Sequence, residues 1–377
     1  MPELYKIAGL IMRGFAMEDR FEVQSKESDG TKCGLGLNFD ELVERVGNGD
    51  FSENLPPEAW ALRGRDPYLM DSFDVEVTLA HIAVMHGRLP SNFSLWGLVD
   101  DDGWTVAHAA AAMGVLPDDF QDWSFAGKDG TTVAHVAASE GLLPDQFSMW
   151  DLRDLKGTTV AHIAARNMIL PSGFSQWQLA DNRGRTVAHE AAAHDSLPEG
   201  CQDWRLSDLN GWTLAHEAAE VGLLPSEFDG WDWATKSGVT VAHVATLGKV
   251  HPADFPFWSL QDANGDTVAH SAAQHGSLPT GFSHWDLVNN KKETVAHAYL
   301  MGAIEGRHFG EFSRRIDFPD NFEGWEWITG EGVSVIGLAR VLEDERLIAR
   351  YEAYRMENII SKEERAVSRP RVVRVEI

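Results

Sequence analysis

The chain is poor in the features that define several large classes of protein. Of its 377 residues only two are cysteines, Cys33 and Cys201. Two isolated thiols exclude a disulfide scaffold and a thiolate metal centre, and they fit a reducing cytoplasm. No run reaches the roughly 18 apolar residues of a membrane span. The apolar stretch Ile7–Met12 ends at Arg13, short of the ~7–15 residues of a signal-peptide core. A soluble, cytoplasmic chain without a membrane partner is expected. Basic residues are also scarce, 32 against 58 acidic ones, for a net charge of -26. That balance disfavours direct binding to nucleic acid and favours a cationic partner. There is no Gly-rich phosphate loop, nucleophile elbow or His-Glu-x-x-His, so neither an enzyme nor a cofactor is expected.

What the chain does have is a repeat. Thr-(Val/Leu)-Ala-His ends at His81, His108, His135, His162, His189, His216, His243, His270 and His297, each interval being 27 residues. Trp96, Trp123, Trp150, Trp177, Trp204, Trp231, Trp258 and Trp285 keep the same step. In the unit opening at Thr132, the Thr hydroxyl suits a helix N-cap and Gly141 a left-handed C-terminal residue. Pro144 suits the first position of a second helix, with Phe147 and Trp150 on one of its faces. The spacing therefore predicts two short antiparallel helices and a turn per unit. Such units bury their apolar faces only by stacking, which gives an all-α repeat solenoid.

The run Asp208-Leu-Asn-Gly-Trp-Thr213-Leu-Ala-His216-Glu-Ala-Ala-Glu-Val-Gly222 resembles the first half of the ankyrin repeat. The resemblance covers about residues 78–300 and implies stacked helix–turn–helix units that bind proteins through their turns and first helices. The repeat departs from the family in its length, 27 residues against roughly 33. It departs also in its Leu-Pro-x-x-Phe-x-x-Trp second half, and in Val or Leu where the family has Pro after Thr.

The ends differ from the array of residues 78–304. Residues 1–50 read as a small α+β cap or docking element. In it Arg20–Lys26 and Thr31–Asn38 flank a Ser28-Asp29-Gly30 hairpin turn, and Phe39–Val46 looks helical. Residues 51–77 read as a degenerate first repeat. An insertion and a degenerate capping repeat, with Gly337 in place of His, occupy 305–342. Residues 343–377 form a terminal helix and a tail bearing Arg365, Arg369, Arg371 and Arg374.

One His per unit cannot build a metal centre, because units are separated by about a helix-packing distance of 8–10 Å. Each imidazole is instead expected to bond the Thr hydroxyl and loop backbone, and the Phe and Trp side chains to form an inner layer. Candidate partner contacts are the positions that vary within this frame. Before each Thr stand Trp104, Arg185 and Trp212 among others, expected to project from the turns. Glu190 and Glu217 follow the His and, with Asp101, Asp102, Asp129, Glu140 and Glu220, predict an acidic strip along helices and turns. Residues 78–289 carry 26 acidic and 10 basic side chains, a net -16. The expectation is a non-enzymatic protein-binding scaffold with a basic partner, acting as an inhibitor or effector. A sharper form is a DNA mimic that inhibits a nucleic-acid-binding protein. Self-assembly and a small enzyme in the N-terminal region are the alternatives.

Overall fold

A computed structural model describes residues 36–49, 55–65, 76–197, 203–248, 255–308 and 318–367, and the side chains of 307–308 and 361–367 are outside its description. The predicted hairpin of residues 20–38 and the basic tail beyond 367 fall mostly or wholly outside these residues. The chain divides into two compact units, 1–201 and 202–377. The division falls in the one repeat whose Phe position is filled differently, by Cys201.

The first unit contains α1 (Phe39–Asn48), α2 (Pro57–Trp60), β1 (Arg63–Arg65), β2 (Glu76–Thr78) and α3 (Leu79–Met85). The repeat helices α4 (Val106–Met113), α5 (Val133–Ser139), α6 (Val160–Arg166) and α7 (Val187–Ala193) follow. The second unit contains α8 (Leu214–Val221), α9 (Val241–Gly248), α10 (Val268–His275), α11 (Val295–His308), α12 (Val335–Val341) and α13 (Glu345–Val367). From α3 to α7, and again from α8 to α13, each helix packs on the next in the sequence. This is a helical repeat architecture within each unit. Among the described residues no helix is long and apolar enough to cross a membrane.

Among the described residues each repeat shows one α-helix, not the two expected, and the second half of the last repeat adds only a 3-10 turn at Gly324–Glu326. The Leu-Pro-x-x-Phe-x-x-Trp half forms consecutive turns, opened by a bond from Phe120 N–H to Pro117 O (3.0 Å). The carbonyls that end this half serve the start of the following helix. Val106 N–H donates to Leu98 O (2.9 Å) and Ala107 N–H to Trp96 O (3.1 Å). The same pair recurs ahead of each repeat helix from α5 to α10, as in Val160 to Leu152 O and Ala161 to Trp150 O, both 3.1 Å. Thus two of the N–H groups that a helix start leaves unpaired are satisfied by the preceding half-repeat.

The remaining groups fall to Thr and His. Thr132 is the N-cap of α5, its hydroxyl accepting from His135 N–H (3.4 Å), and His135 Nδ1 accepts from Thr132 N–H (3.2 Å). This is a capping box with imidazole in the usual place of Glu. A bond from Leu142 N–H to Ala137 O (2.8 Å), with Gly141 at φ 72°, closes the other end. Helices of seven or eight residues are marginal alone. Their Val and Ala side chains, almost all fully buried, hold them against one another.

Successive turns are joined through backbone. Leu155 N–H donates to Asp129 O and Asn182 N–H to Lys156 O, both at 3.0 Å. Gly130 lies at φ 78°, and a Cβ there would stand 2.7 Å from Leu155 N, so glycine lets the two turns touch.

The ends carry variations of the same frame. The expected helix at 39–46 is α1, closed by an Asn38–Glu41 capping box. The sequence did not announce the antiparallel pair β1–β2, in which Arg63 faces Thr78. Leu62 O accepts from Leu79 N–H (2.9 Å), as Leu98 O does from Val106. The expected insertion begins as an extension of α11, which runs 14 residues. In α12, Ser334 Oγ still accepts from Gly337 N–H (3.1 Å). No ring points onward from Gly337, and α13 covers this end with Leu347 and Tyr351.

Replacing His135 with Ala removes the acceptor for the buried Thr132 N–H and the donor to the part-buried Thr158 O. The expected cost is about 3 kcal/mol in urea-induced unfolding, and His135→Gln, which can rebuild the cap, should lose less. Equal stability of wild type and His135→Ala would refute this account.

Candidate binding surface

Each repeat imidazole uses both its nitrogens. Nδ1 sits 2.7 Å from the Thr hydroxyl at His108, His135 and His162, and also accepts the Thr N–H. Nε2 reaches a carbonyl in the next turn, Thr131 O from His108 (2.9 Å) and Thr158 O from His135 (3.0 Å). In the second unit His216, His243 and His270 reach Val239, Asp266 and Glu293 at 3.2, 3.1 and 3.0 Å. A carbonyl only accepts and a backbone N–H only donates, so the ring is neutral with its proton on Nε2. Among the described residues, no group of three or more His, Cys, Asp and Glu is placed to hold a metal ion.

Burial disfavours the charged ring and outweighs the carbonyl bonds, lowering the pKa of His81 and His108 to about 4. His135, His162, His243, His270 and His297 are lowered for the same first reason. An unfolded chain takes up these protons near pH 6.5. Between that pH and the lower folded values the unfolded state holds more protons, so stability falls as the pH falls. The contribution is whole above pH 6.5 and is lost towards pH 4, at about 3 kcal/mol each for His81 and His108. Unfolding free energy measured from pH 7.5 to 4.5 should therefore drop with a slope of several protons. A flat profile would contradict the neutral-ring assignment.

The positions expected to project from the turns do not behave alike. Trp104 is buried, its ring 5.0 Å from that of His108. It is packing, not a free contact. Gly127 of the next turn leaves room for it, since a Cβ there would come 3.3 Å from Trp104 Nε1. Trp212 is partly exposed, and its Nε1–H donates to Glu217 Oε2 (2.8 Å). It lines a small cleft with Asn210, Thr235, Lys236, Ser237 and Val239.

The acidic strip along the helices is likewise corrected. Glu190 and Glu217 are buried. Glu190 is clamped by Arg185 at 2.8 Å and Arg166 at 3.2 Å. Burial opposes its charge, but the Arg185 hydrogen bond and the two guanidinium charges prevail and hold its pKa low. The residues before Thr and after His are thus partners five apart, Arg185 with Glu190 and Trp212 with Glu217. Their periodicity was legible, but their mutual contact was not. At the turns, Asp101 pairs with Arg63 (2.7 Å) and Asp129 accepts from Thr131 N–H (3.0 Å), while Asp102 is half-buried. Glu140 and Glu220 stand at the C-terminal ends of their helices, on the chain leading into the Pro segments.

Turn tips are mixed in charge. Lys128, Lys156, Arg183, Lys236, Lys291 and Lys292 accompany Asp101, Asp102, Asp129 and Glu331. The excess acid lies instead on the Pro–Phe–Trp edge. In the first unit this edge exposes Asp118, Asp119, Asp122, Asp145 and Asp151, with no Lys or Arg in 117–124 or 144–151. In the second it exposes Asp203, Glu227, Asp229, Asp232, Asp286, Asp320, Glu323 and Glu326 against Arg205. Behind the acids lies the aromatic inner layer, whose rings meet edge to face. Phe93, Trp96, Phe120, Trp123, Phe147, Trp150, Phe174 and Trp177 form an unbroken series with centroids 4.9–5.8 Å apart. Trp96 and Trp177 are only half-buried. This edge was missed because an inner second helix was assumed there. The alternation of acids with Pro, Phe and Trp was the available signal.

No family model matches the chain, and no curated protein matches it.

Arg185→Ala should strip the buried Glu190 of its closest cation and cost about 2 kcal/mol. The exposed turn-tip change Arg183→Ala should cost less than about 0.5 kcal/mol. Equal losses in denaturant titration would remove the clamp from this account.

Proposed function

We propose that this chain is a non-enzymatic, ankyrin-like scaffold that binds a basic partner protein. The observation that carries the reading is the separation of roles within each repeat. The groups with chemical potential, above all the imidazoles, are spent on capping and bridging. Among the residues that differ from unit to unit, those of the Pro–Phe–Trp edge are left at the surface, and their charge is acidic. Such an edge attracts cations over a distance set by salt and offers contact area to a folded partner.

The acidic edge also supports the narrower idea that the partner is a nucleic-acid-binding protein occupied by carboxylates where phosphates would sit. Direct binding of nucleic acid is disfavoured by the same charge. Affinity capture from a native lysate, at low and high salt and with and without nuclease, tests the proposal. A discrete basic protein should be retained at low salt, survive nuclease treatment and be released at high salt. Added DNA should displace it if the narrower idea holds. Retention of nothing, or only of further copies of the chain, would count against a partner-binding role.

A further inference from the structure

The first two Pro–Phe–Trp segments of the first unit enclose an open groove of about 610 Å³. Leu89, Phe93 and Trp96 line it from one repeat, and Val115, Asp119 and Asp122 from the next. No lysine or arginine is among its lining residues. It therefore combines aromatic and aliphatic surface with uncompensated carboxylates, a chemistry that suits a cation carried on an apolar element.

The second unit shows what seats on such a segment. Arg350 of α13 donates from its two terminal nitrogens to Phe318 O (3.0 Å) and Pro319 O (2.7 Å). Its guanidinium carbon lies 5.9 Å from the centre of the Trp325 ring. The adjacent Tyr351 hydroxyl donates to Glu326 (3.2 Å), and Leu347 on the same helix is buried. Phe318-Pro319 hold the place in the frame that Leu89-Pro90 and Leu116-Pro117 hold in the first unit. A second arginine, Arg205, lies 4.3 Å from the Trp233 ring centre. In both instances a planar guanidinium meets a tryptophan of this half-repeat, and in the first a helix with apolar neighbours carries it. The turn tips offer no such combination, because lysine and arginine are interleaved with their acids.

We propose that the groove between residues 89–96 and 115–122 docks an arginine-bearing amphipathic helix of a partner protein. Its guanidinium groups lie against the aromatic edges and face Asp119 and Asp122, and its apolar side packs on Leu89, Phe93 and Val115. Arginine suits the site better than lysine, since a flat, weakly hydrated cation can stack on a ring and still donate to carboxylates or carbonyls. The assignment rests on the protein-binding reading above and gives the partner segment a class and a place.

The probe is an 18-residue helical peptide with one leucine face and one arginine face, labelled and titrated with the full chain. Its lysine and glutamate counterparts serve as comparisons. The Asp119→Asn/Asp122→Asn double variant changes the groove, and Asp102→Asn/Glu331→Gln changes net charge equally at turn tips. Both pairs are exposed or half-exposed side chains, and circular dichroism confirms that each variant is folded. Fluorescence anisotropy should show the groove pair weakening the arginine peptide about fivefold or more and the turn pair less than twofold. The lysine peptide should bind several-fold more weakly, and the glutamate peptide not at all. Equal losses from the two pairs, or no binding of the arginine peptide, overturns the assignment. A partner retained from lysate by the groove variant as well as by wild type would remove this site while leaving the scaffold reading intact. Peptide binding at the groove without any captured partner would do the reverse.

Discussion

The two-ended hydrogen bonding of a neutral imidazole is the constraint on which each unit depends. One nitrogen completes the helix cap inside the repeat, and the other reaches a carbonyl of the next turn. A glutamate in the capping box could perform the first task but, being only an acceptor when ionised, could not donate to a carbonyl. Histidine performs both, provided that burial keeps it neutral. The local start of one helix and the position of the next turn are therefore set by the same side chain. Where the stack ends, at α12, Gly337 replaces the ring and a different helix supplies the cover.

Two further ladders run with the imidazoles. Backbone bonds between turn tips fix the spacing on one side, and the edge-to-face rings fix it on the other. Edge-to-face pairs contribute roughly 1 kcal/mol each beyond their burial, so a series of them is a substantial share of a marginal stability. Neither ladder constrains the residues between its rungs. Those residues are free to vary, which makes the exposed edges, and not the interior, the natural place for recognition.

Charge follows the same division. Carboxylates within reach of the helix faces are neutralised by arginine or bound by an indole, because they are largely removed from water. On the Pro–Phe–Trp edge they remain hydrated and unbalanced. Much of the repeat array's excess acid is thus on one edge of the repeat, set beside aromatic surface.

The sequence by itself determined the repeat, its 27-residue step, the Thr-capped helix and the structural employment of histidine, since these follow from local chemistry at fixed spacing. The same local reading, from Pro144, Phe147 and Trp150, placed a second helix in each unit that the described residues do not form. Periodicity locates Pro144, Phe147 and Trp150 but does not reveal that the Trp150 carbonyl is taken by Ala161 N–H. Only the tertiary structure shows how the backbone of that half is paired. It also decided which variable residues are surface: Trp104 and Glu190 share a reading with Trp212 and Asp129 in sequence, yet the first two are enclosed. The physical reason is that burial and pairing arise between repeats and across a helix turn, where contacts five or 23 residues apart outweigh the character of any single side chain.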